Sequence, residues 1–450
     1  MKARRAVVLG GGIAGLAAAG VVARHFEQVT LVERDRYPAD PAGRPHAAHG
    51  GHVHILLAGG LVTLSRLFPE LPGWLDEMGC AAGDLTYHAR VAYAGRWLPR
   101  ARSGVPIRTC TRADVEYVLR RVVTRCDNIR VADGCEVVGL VGRERIRAVR
   151  VCRDGAEQEL AADLVVDAMG RSSPSVRWLE QAGLPRVEET VVDAGVVYTS
   201  AWFEPPAGIR DDWTVLATLP AIPHEARIGA VVRYAASRPM LCSVVDYGKP
   251  TAPRTHGEFV DRMAALCVPE LHRLLLASKP VSELAVFGNT RNRLRRFSRL
   301  SRFPDGLVVI GDAACSLNPR YGQGMTVAAL GAERLDRALS AARGLDGFAR
   351  RFQRSLDRML VVPWQMALLE DRAWVSSLSG AASSLGQRLA LAGSQRVLRT
   401  AFSDLETYIR FMRVAHLLDS PMKMLAPRMM ARIARGGDPS AAMDAPGIHA

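Results

Sequence analysis

Gly10-x-Gly12-x-x-Gly15 is a spacing that handles phosphate when it joins a strand to a helix. Here it lies between the apolar run Ala6-Val7-Val8-Leu9 and an Ala-rich stretch from Leu16 to His25. Glycines at these places permit a tight turn, let a pyrophosphate approach the backbone and let helix pack on strand. The helix N-terminus behind them adds partial positive charge. Glu33 ends the following run, Val29-Thr30-Leu31-Val32-Glu33, eighteen residues after Gly15. An acid in that place binds a ribose diol. The triplet alone is weak, and a purely structural turn is the alternative; its βαβ setting favours a dinucleotide site. Gly10, Gly12, Ala14, Gly15, Glu33 and Arg34 are its candidate contacts.

A second glycine-rich segment bears on which dinucleotide. Gly311-Asp312 ends an apolar run, and Asn318-Pro319-Arg320-Tyr321-Gly322-Gln323-Gly324-Met325-Thr326 leads into helical spacing. This segment resembles the second fingerprint of the para-hydroxybenzoate-hydroxylase-like flavoproteins. The resemblance implies FAD as cofactor, with Asp312 on the ribitol chain. It also implies that the turn through Pro319, Gly322, Gly324 and Met325 aims a helix N-terminus at the flavin N1–C2=O edge. The physics agrees, because a reduced flavin is negative at that edge and a helix N-terminus stabilises negative charge. Arg112, after Thr111, matches the arginine such proteins place on the FAD phosphates. Asp167-Ala-Met-Gly170 resembles their Asp-Gly segment. Its two intervening residues are closer to flavin halogenases, geranylgeranyl reductases and bacterial polyene epoxidases than to aromatic hydroxylases.

The wider match is to the polyether-pathway epoxidases, relatives of squalene epoxidase, across residues 1–340. It is carried by Val7 to Gly15, Glu33-Arg34-Asp35, His52 to Gly60, Asp163 to Pro174, Val192 to Tyr198 and Gly306 to Thr326. Ala48-His49 stands where that family has Pro-Gln. Beyond residue 340, Pro363-Trp364 and Glu370-Asp371 are faint echoes. The resemblance implies a flavin-dependent monooxygenase in which O2 adds to reduced FAD to give a C4a-hydroperoxide. One oxygen then enters a large apolar secondary metabolite of the antibiotic-pathway kind, by epoxidation or hydroxylation. NAD(P)H, or reduced flavin from a separate reductase, is the implied electron source, and the substrate is free or carrier-bound. Three alternatives stay open: an FAD-containing cyclase that uses the flavin structurally to fold a polyene, a polyprenyl reductase, and a halogenase. A halogenase should carry Trp-x-Trp-x-Ile-Pro and an early lysine in the first helical region, and the chain has neither.

Arg320 and Tyr321 lie inside the flavin turn and are candidate catalytic residues, with simple loop packing as the alternative. His54 shares one face of an extended segment with His52 and is a candidate proton donor; loop closure is the plainer role. Arg291, Arg293, Arg295, Arg296, Arg299 and Arg302 put six charges in twelve residues, a solvated rim or a phosphate dock. Arg410 to Arg435 mixes methionine and leucine with basic residues. Packing across the substrate mouth is favoured there over contact with a membrane.

The elements that must position these residues give an α/β fold: a Rossmann-like, glutathione-reductase-type FAD-binding domain, a mixed β-sheet substrate domain and a helical C-terminal region. The spacing divides the FAD domain into 1–75, 108–184 and 296–345, and the substrate domain into 76–107 and 185–295. A helical region follows at 346–436 and a tail at 437–450. Helices are expected at Ile55 to Phe68, Arg112 to Val123, 256–277 and Thr326 to Leu339, and a hairpin or meander at Val131 to Val151.

The chain of 450 residues is 48% hydrophobic and 23% charged, which excludes disorder and a short disulfide scaffold. Eight cysteines show no C-x-x-C pair and no zinc spacing, so neither metal nor structural disulfide is expected. A strand at the start leaves no room for a signal peptide, and no run approaches a membrane span, so a cytoplasmic protein is expected. The formal charge of +14 comes mostly from arginine, with only four lysines. It reflects either genomic bias or an anionic partner; nucleic acid is not expected.

Overall fold

The computed structural model describes residues 4–209, 212–225, 227–233 and 238–436. The expected tail at 437–450 lies outside them. A parallel five-stranded sheet runs in the order Leu307–Val309, Leu164–Asp167, Arg5–Leu9, Gln28–Val32, Ile129–Ala132. Its central strand is buried from Ala6 to Leu9, as a strand covered on both faces must be. The first helix starts at Ile13, three residues earlier than the apolar spacing suggests, because Gly12 is the last extended residue. It packs against the helix Gly324–Ser340, and the small residues Ala17, Ala18, Ala328 and Ala332 of the two helices are all buried. Gly311, at φ +57°, sits where a Cβ would lie 2.7 Å from the Ala14 Cβ. Two motifs three hundred residues apart therefore meet in van der Waals contact.

The region expected as one hairpin or meander splits. Ile129–Ala132 becomes the edge of the parallel sheet, and the meander is Glu136–Gly142, Ile146–Arg153 and Ala156–Ala161. An eight-stranded mixed sheet draws on Ala89–Tyr93 and on strands between Val197 and Phe287; Val215–Leu219 pairs parallel with Ala89–Tyr93. The stretch 256–277 holds two helices, His256–Ala264 and Glu270–Leu276, because Pro269 starts the second.

Beyond residue 345 lie the helices Phe348–Ser379, Leu385–Thr400, Leu405–Ala415 and Pro427–Arg435. Leu398, Phe402, Tyr408 and Met412 pack on one face of the mixed sheet beside Val53 and Ile55. His416 then caps the helix Ala58–Leu67: its Nδ1 accepts from Ala58 N at 3.2 Å and its carbonyl from Gly59 N at 2.9 Å. The C-terminal region is thus stitched to an N-terminal element. Among the described residues no helix is long and apolar enough to cross a membrane, and no cluster of His, Cys, Asp and Glu could hold a metal.

Candidate flavin cleft and active site

A cleft of about 1010 Å³ runs between the two fingerprints. Gly10, Gly12, Ala14, Glu33, Arg34, Arg112, Asp312, Pro319, Gly322, Gly324 and Met325 line it, as does His54. Gly15, Arg320 and Tyr321 lie outside that lining.

At one end the glycine turn is shaped by close approach. Gly10 has φ +90°, and a Cβ on Gly15 would fall 1.7 Å from the Gly10 carbonyl oxygen. Glu33 accepts from Gly11 N at 2.6 Å and from Asp35 N at 2.9 Å, so its carboxylate also braces the turn. Arg44 pairs with Glu33 at 3.0 Å and with Glu116, and Glu116 pairs with Arg112 at 3.0 Å. Tyr37 Oη donates to the Gly11 carbonyl at 2.8 Å. Burial first, then the Glu33 charge, holds its phenol well above the ordinary value. Sequence reasoning missed Tyr37, Arg44 and Glu116. Two of them come from a Pro- and Gly-rich loop without periodicity, and all three act through neighbours distant in the chain.

Arg112 opens a helix that Thr111 and Asp114 cap reciprocally. Its Nη2 is 3.4 Å from where a Gly12 Cβ would be, and its Nη1 is buried without a partner. A buried guanidinium donor left unmatched beside a bare glycine backbone fits a phosphate oxygen.

At the other end, Asp312 lies in a short 3-10 turn, and its Oδ1 is 3.9 Å from the Cβ position of Gly324. Burial raises its carboxyl above the ordinary value, and Arg171, Arg112 and Arg293 oppose that rise. Asn318 accepts from Arg320 N at 3.1 Å, Gly322 turns the chain at φ +62°, and the helix Gly324–Ser340 starts with no side-chain cap. Its first N–H groups are therefore available to an anionic ligand edge. These features fit FAD along the whole cleft.

Arg320 and Tyr321 turn towards the long C-terminal helix. Arg320 pairs with Glu370 at 3.1 Å, and Tyr321 Oη donates to Asp371 at 2.6 Å. Asp371 is 1% exposed and also accepts from Asn318 Nδ2 at 3.2 Å and from Asn292. Burial raises its carboxyl to about 6 against the hydrogen bonds that hold it down. Tyr198 and Tyr247 lie within electrostatic reach of Arg320, both buried. His54 Nδ1 donates to the His52 carbonyl at 2.8 Å. Burial, with the Arg112 charge next, lowers its imidazole to about 4, so it is neutral at pH 7. His52 bonds Ser200 Oγ at 2.8 Å, and burial lowers it likewise to about 4.

The fold and cleft define a dinucleotide-binding flavoprotein of two fingerprints and a helical C-terminal layer. A family model described as "FAD binding domain" matches residues 4–351, and the chain belongs to that family; FAD is its cofactor. Protein Rv3254 of Mycobacterium tuberculosis (strain ATCC 25618 / H37Rv) is 30% identical over 435 residues, covering 92% of this chain and 90% of its own. The 6-methylpretetramide 4-monooxygenase of Streptomyces rimosus is 28% identical over 335 residues, 71% of each chain. The structure of the flavin-dependent brominase Bmp2 superposes with a TM-score of 0.66 at 14% identity, over 96% of this chain and 97% of that one.

Proposed function

We propose that the protein is a flavin-dependent monooxygenase that adds one oxygen atom of O2 to a large apolar organic substrate, by epoxidation or hydroxylation. The observation that carries this reading is the uncapped start of the helix Gly324–Ser340 opening on a cleft whose same end is walled by apolar Val53, Ile55, Leu317 and Phe287. Bound FAD supplies the oxygen-activating redox chemistry. The protein supplies position, dryness and charge. Arg112 holds the phosphates and Asp312 the ribitol chain. The helix N-terminus stabilises negative charge at the flavin edge, and Val53 and Ile55 keep water out. His54, being neutral, is a hydrogen-bond partner rather than a cationic acid. Arg320 and Tyr321 act through the turn they anchor. The 6-methylpretetramide 4-monooxygenase supports this reading, and the polyether-epoxidase resemblance points to a comparable polycyclic or isoprenoid substrate.

The test is oxygen uptake and NADPH consumption, with and without an added flavin reductase, across a panel of polycyclic aromatic and isoprenoid substrates. Both signals should rise only with substrate. Product formed without O2 and without reductant would instead make the flavin structural and the protein a cyclase.

A further inference from the structure

Two cysteines face each other beside the helix that carries Arg112. The strands Ala81–Asp84 and Pro106–Thr109 pair antiparallel, with Ala81 opposite Thr109 and Asp84 opposite Pro106. One step beyond the ladder, the same register sets Cys80 opposite Cys110. Leu85 N donates to the Val105 carbonyl at 2.8 Å, so that pair is hydrogen-bonded. Bonded and non-bonded pairs alternate along an antiparallel ladder, so Gly83 with Ile107 and Ala81 with Thr109 are bonded pairs, and Cys80 with Cys110 is a non-bonded one. The local chain agrees. Pro106, with no N–H to give, stands at a non-bonded position, and Cys80 N donates outside the ladder, to the Leu75 carbonyl at 3.0 Å. Residues of a non-bonded pair have Cα atoms about 4.5 Å apart and side chains on one face. A disulfide bridges roughly 4.4 to 6.8 Å between Cα atoms.

Both thiols are free and buried in one apolar cluster, and Cys80 lies next to the exposed Gly79. Burial raises Cys80 to about 11, with Asp114 adding to the rise and Arg238 and Arg108 opposing it. Burial, then the neighbouring Cys80, holds Cys110 well above the ordinary thiol value. Little thiolate exists at neutral pH, so the pair stays reduced until an oxidant accumulates. Its position gives it a consequence. Cys110 precedes Thr111, which caps the helix Arg112–Val123 together with Asp114, and Cys80 follows the helix Leu71–Glu77, which packs on that same helix. Cys135 and Cys152 differ in this respect: Glu136 opposes Cys152, so Cys135 falls on the other face of its strand.

We propose that Cys80 and Cys110 are a redox-sensitive pair that hydrogen peroxide converts to a disulfide, which staples the capped start of the Arg112 helix to the neighbouring helix. The Cys80 sulfur attacks one peroxide oxygen, the O–O bond breaks, and a sulfenic acid and one water form. The Cys110 sulfur then attacks the Cys80 sulfur and displaces the second water. Two thiols thus lose two electrons and two protons, and one peroxide becomes two waters. The loop from residue 80 to residue 110 is closed by the bond, which restricts the unfolded chain.

The experiment treats the FAD-loaded protein with excess hydrogen peroxide, alkylates the remaining thiols under denaturing conditions and maps the cysteines by mass spectrometry of a digest. The peptides holding Cys80 and Cys110 should appear joined and lighter by two hydrogens, while Cys135 and Cys152 appear in no joined pair. The Tm of the peroxide-treated protein should then fall by at least about 3 °C on adding dithiothreitol, which opens the disulfide and leaves methionine sulfoxide in place. Cys80→Ser and Cys110→Ser should each abolish the cross-link and this fall; the wild-type map decides the case by itself if a variant fails to fold. Cys80 and Cys110 recovered unbridged, either one bridged to a different cysteine, or a bridged protein whose Tm dithiothreitol leaves unchanged would each overturn the proposal. No turnover is read, so the outcome is independent of the monooxygenase reading.

Discussion

Tyr321 Oη lies 2.6 Å from Asp371 Oδ1, so the flavin turn is fastened to a helix fifty residues further along the chain. The same carboxyl accepts from Asn318, which also caps the turn through Arg320 N. Burial raises the Asp371 carboxyl to about 6, above the ordinary 3.8. A raised carboxyl favours the folded state when protonated. Its contribution is complete below about pH 4 and is lost as pH rises through 6. Asp371→Asn keeps an acceptor for Tyr321 and cannot ionise. The Tm of wild type minus that of Asp371→Asn should therefore fall by a few degrees between pH 4 and 7, the full shift being worth roughly 3 kcal/mol. A difference that stays flat over this range would contradict the assignment.

Asp312→Ala should lower FAD affinity by about 10- to 100-fold, the loss expected of a charge-assisted hydrogen bond. Arg299→Ala, in an exposed pair with Glu188, should leave it within about 2-fold. Flavin fluorescence titration of the apoprotein reads both. Equal losses would place Arg299 in the cofactor site.

The glycines of the first turn should separate folding from binding. A Cβ at Gly15 meets the Gly10 carbonyl oxygen at 1.7 Å, whereas at Gly12 it meets only Arg112 Nη2 at 3.4 Å. Gly15→Ala should cost more than about 3 kcal/mol of stability. Gly12→Ala should leave apoprotein Tm within about 2 °C and still weaken FAD, because the methyl group occupies the pyrophosphate approach. Denaturation of the two apoproteins decides it.

With His54 lowered to about 4, no ionisation of this residue should appear between pH 5.5 and 8. The pH profiles of kcat/KM for wild type and His54→Asn should have the same shape. A limb near 6.5 that vanishes in the variant would make His54 the titrating acid.

Local spacing made one part of the candidate site legible. Gly10, Gly12, Gly15 and Glu33 act within one βαβ unit, and Gly311, Asp312 and Gly324 within one strand-turn-helix, so residue type and distance along the chain carry their geometry. The supporting part lies elsewhere. Arg44 links Glu33, Asp35 and Glu116 across 72 residues, and the partners of Arg320 and Tyr321 are acids fifty residues away that only a folded C-terminal helix brings near. The spacing of the arginines near residue 295 suggested one solvated rim or one phosphate dock. In the fold they diverge: Arg291, Arg293 and Arg295 stand at alternate positions along and beside the strand Asn292–Arg295 and line the cleft, whereas Arg299 pairs with Glu188 outside its lining. Alternation along a short strand sets that split, and a charge count along the chain does not show it.

The most direct measurement is the mass of the product formed under 18O2. For any substrate that raises oxygen uptake, the product should gain one labelled atom from 18O2 and none from H218O, with FAD recoverable from the enzyme by acid precipitation. A product that carries no label, or takes its oxygen from water, would contradict oxygen transfer at this cleft.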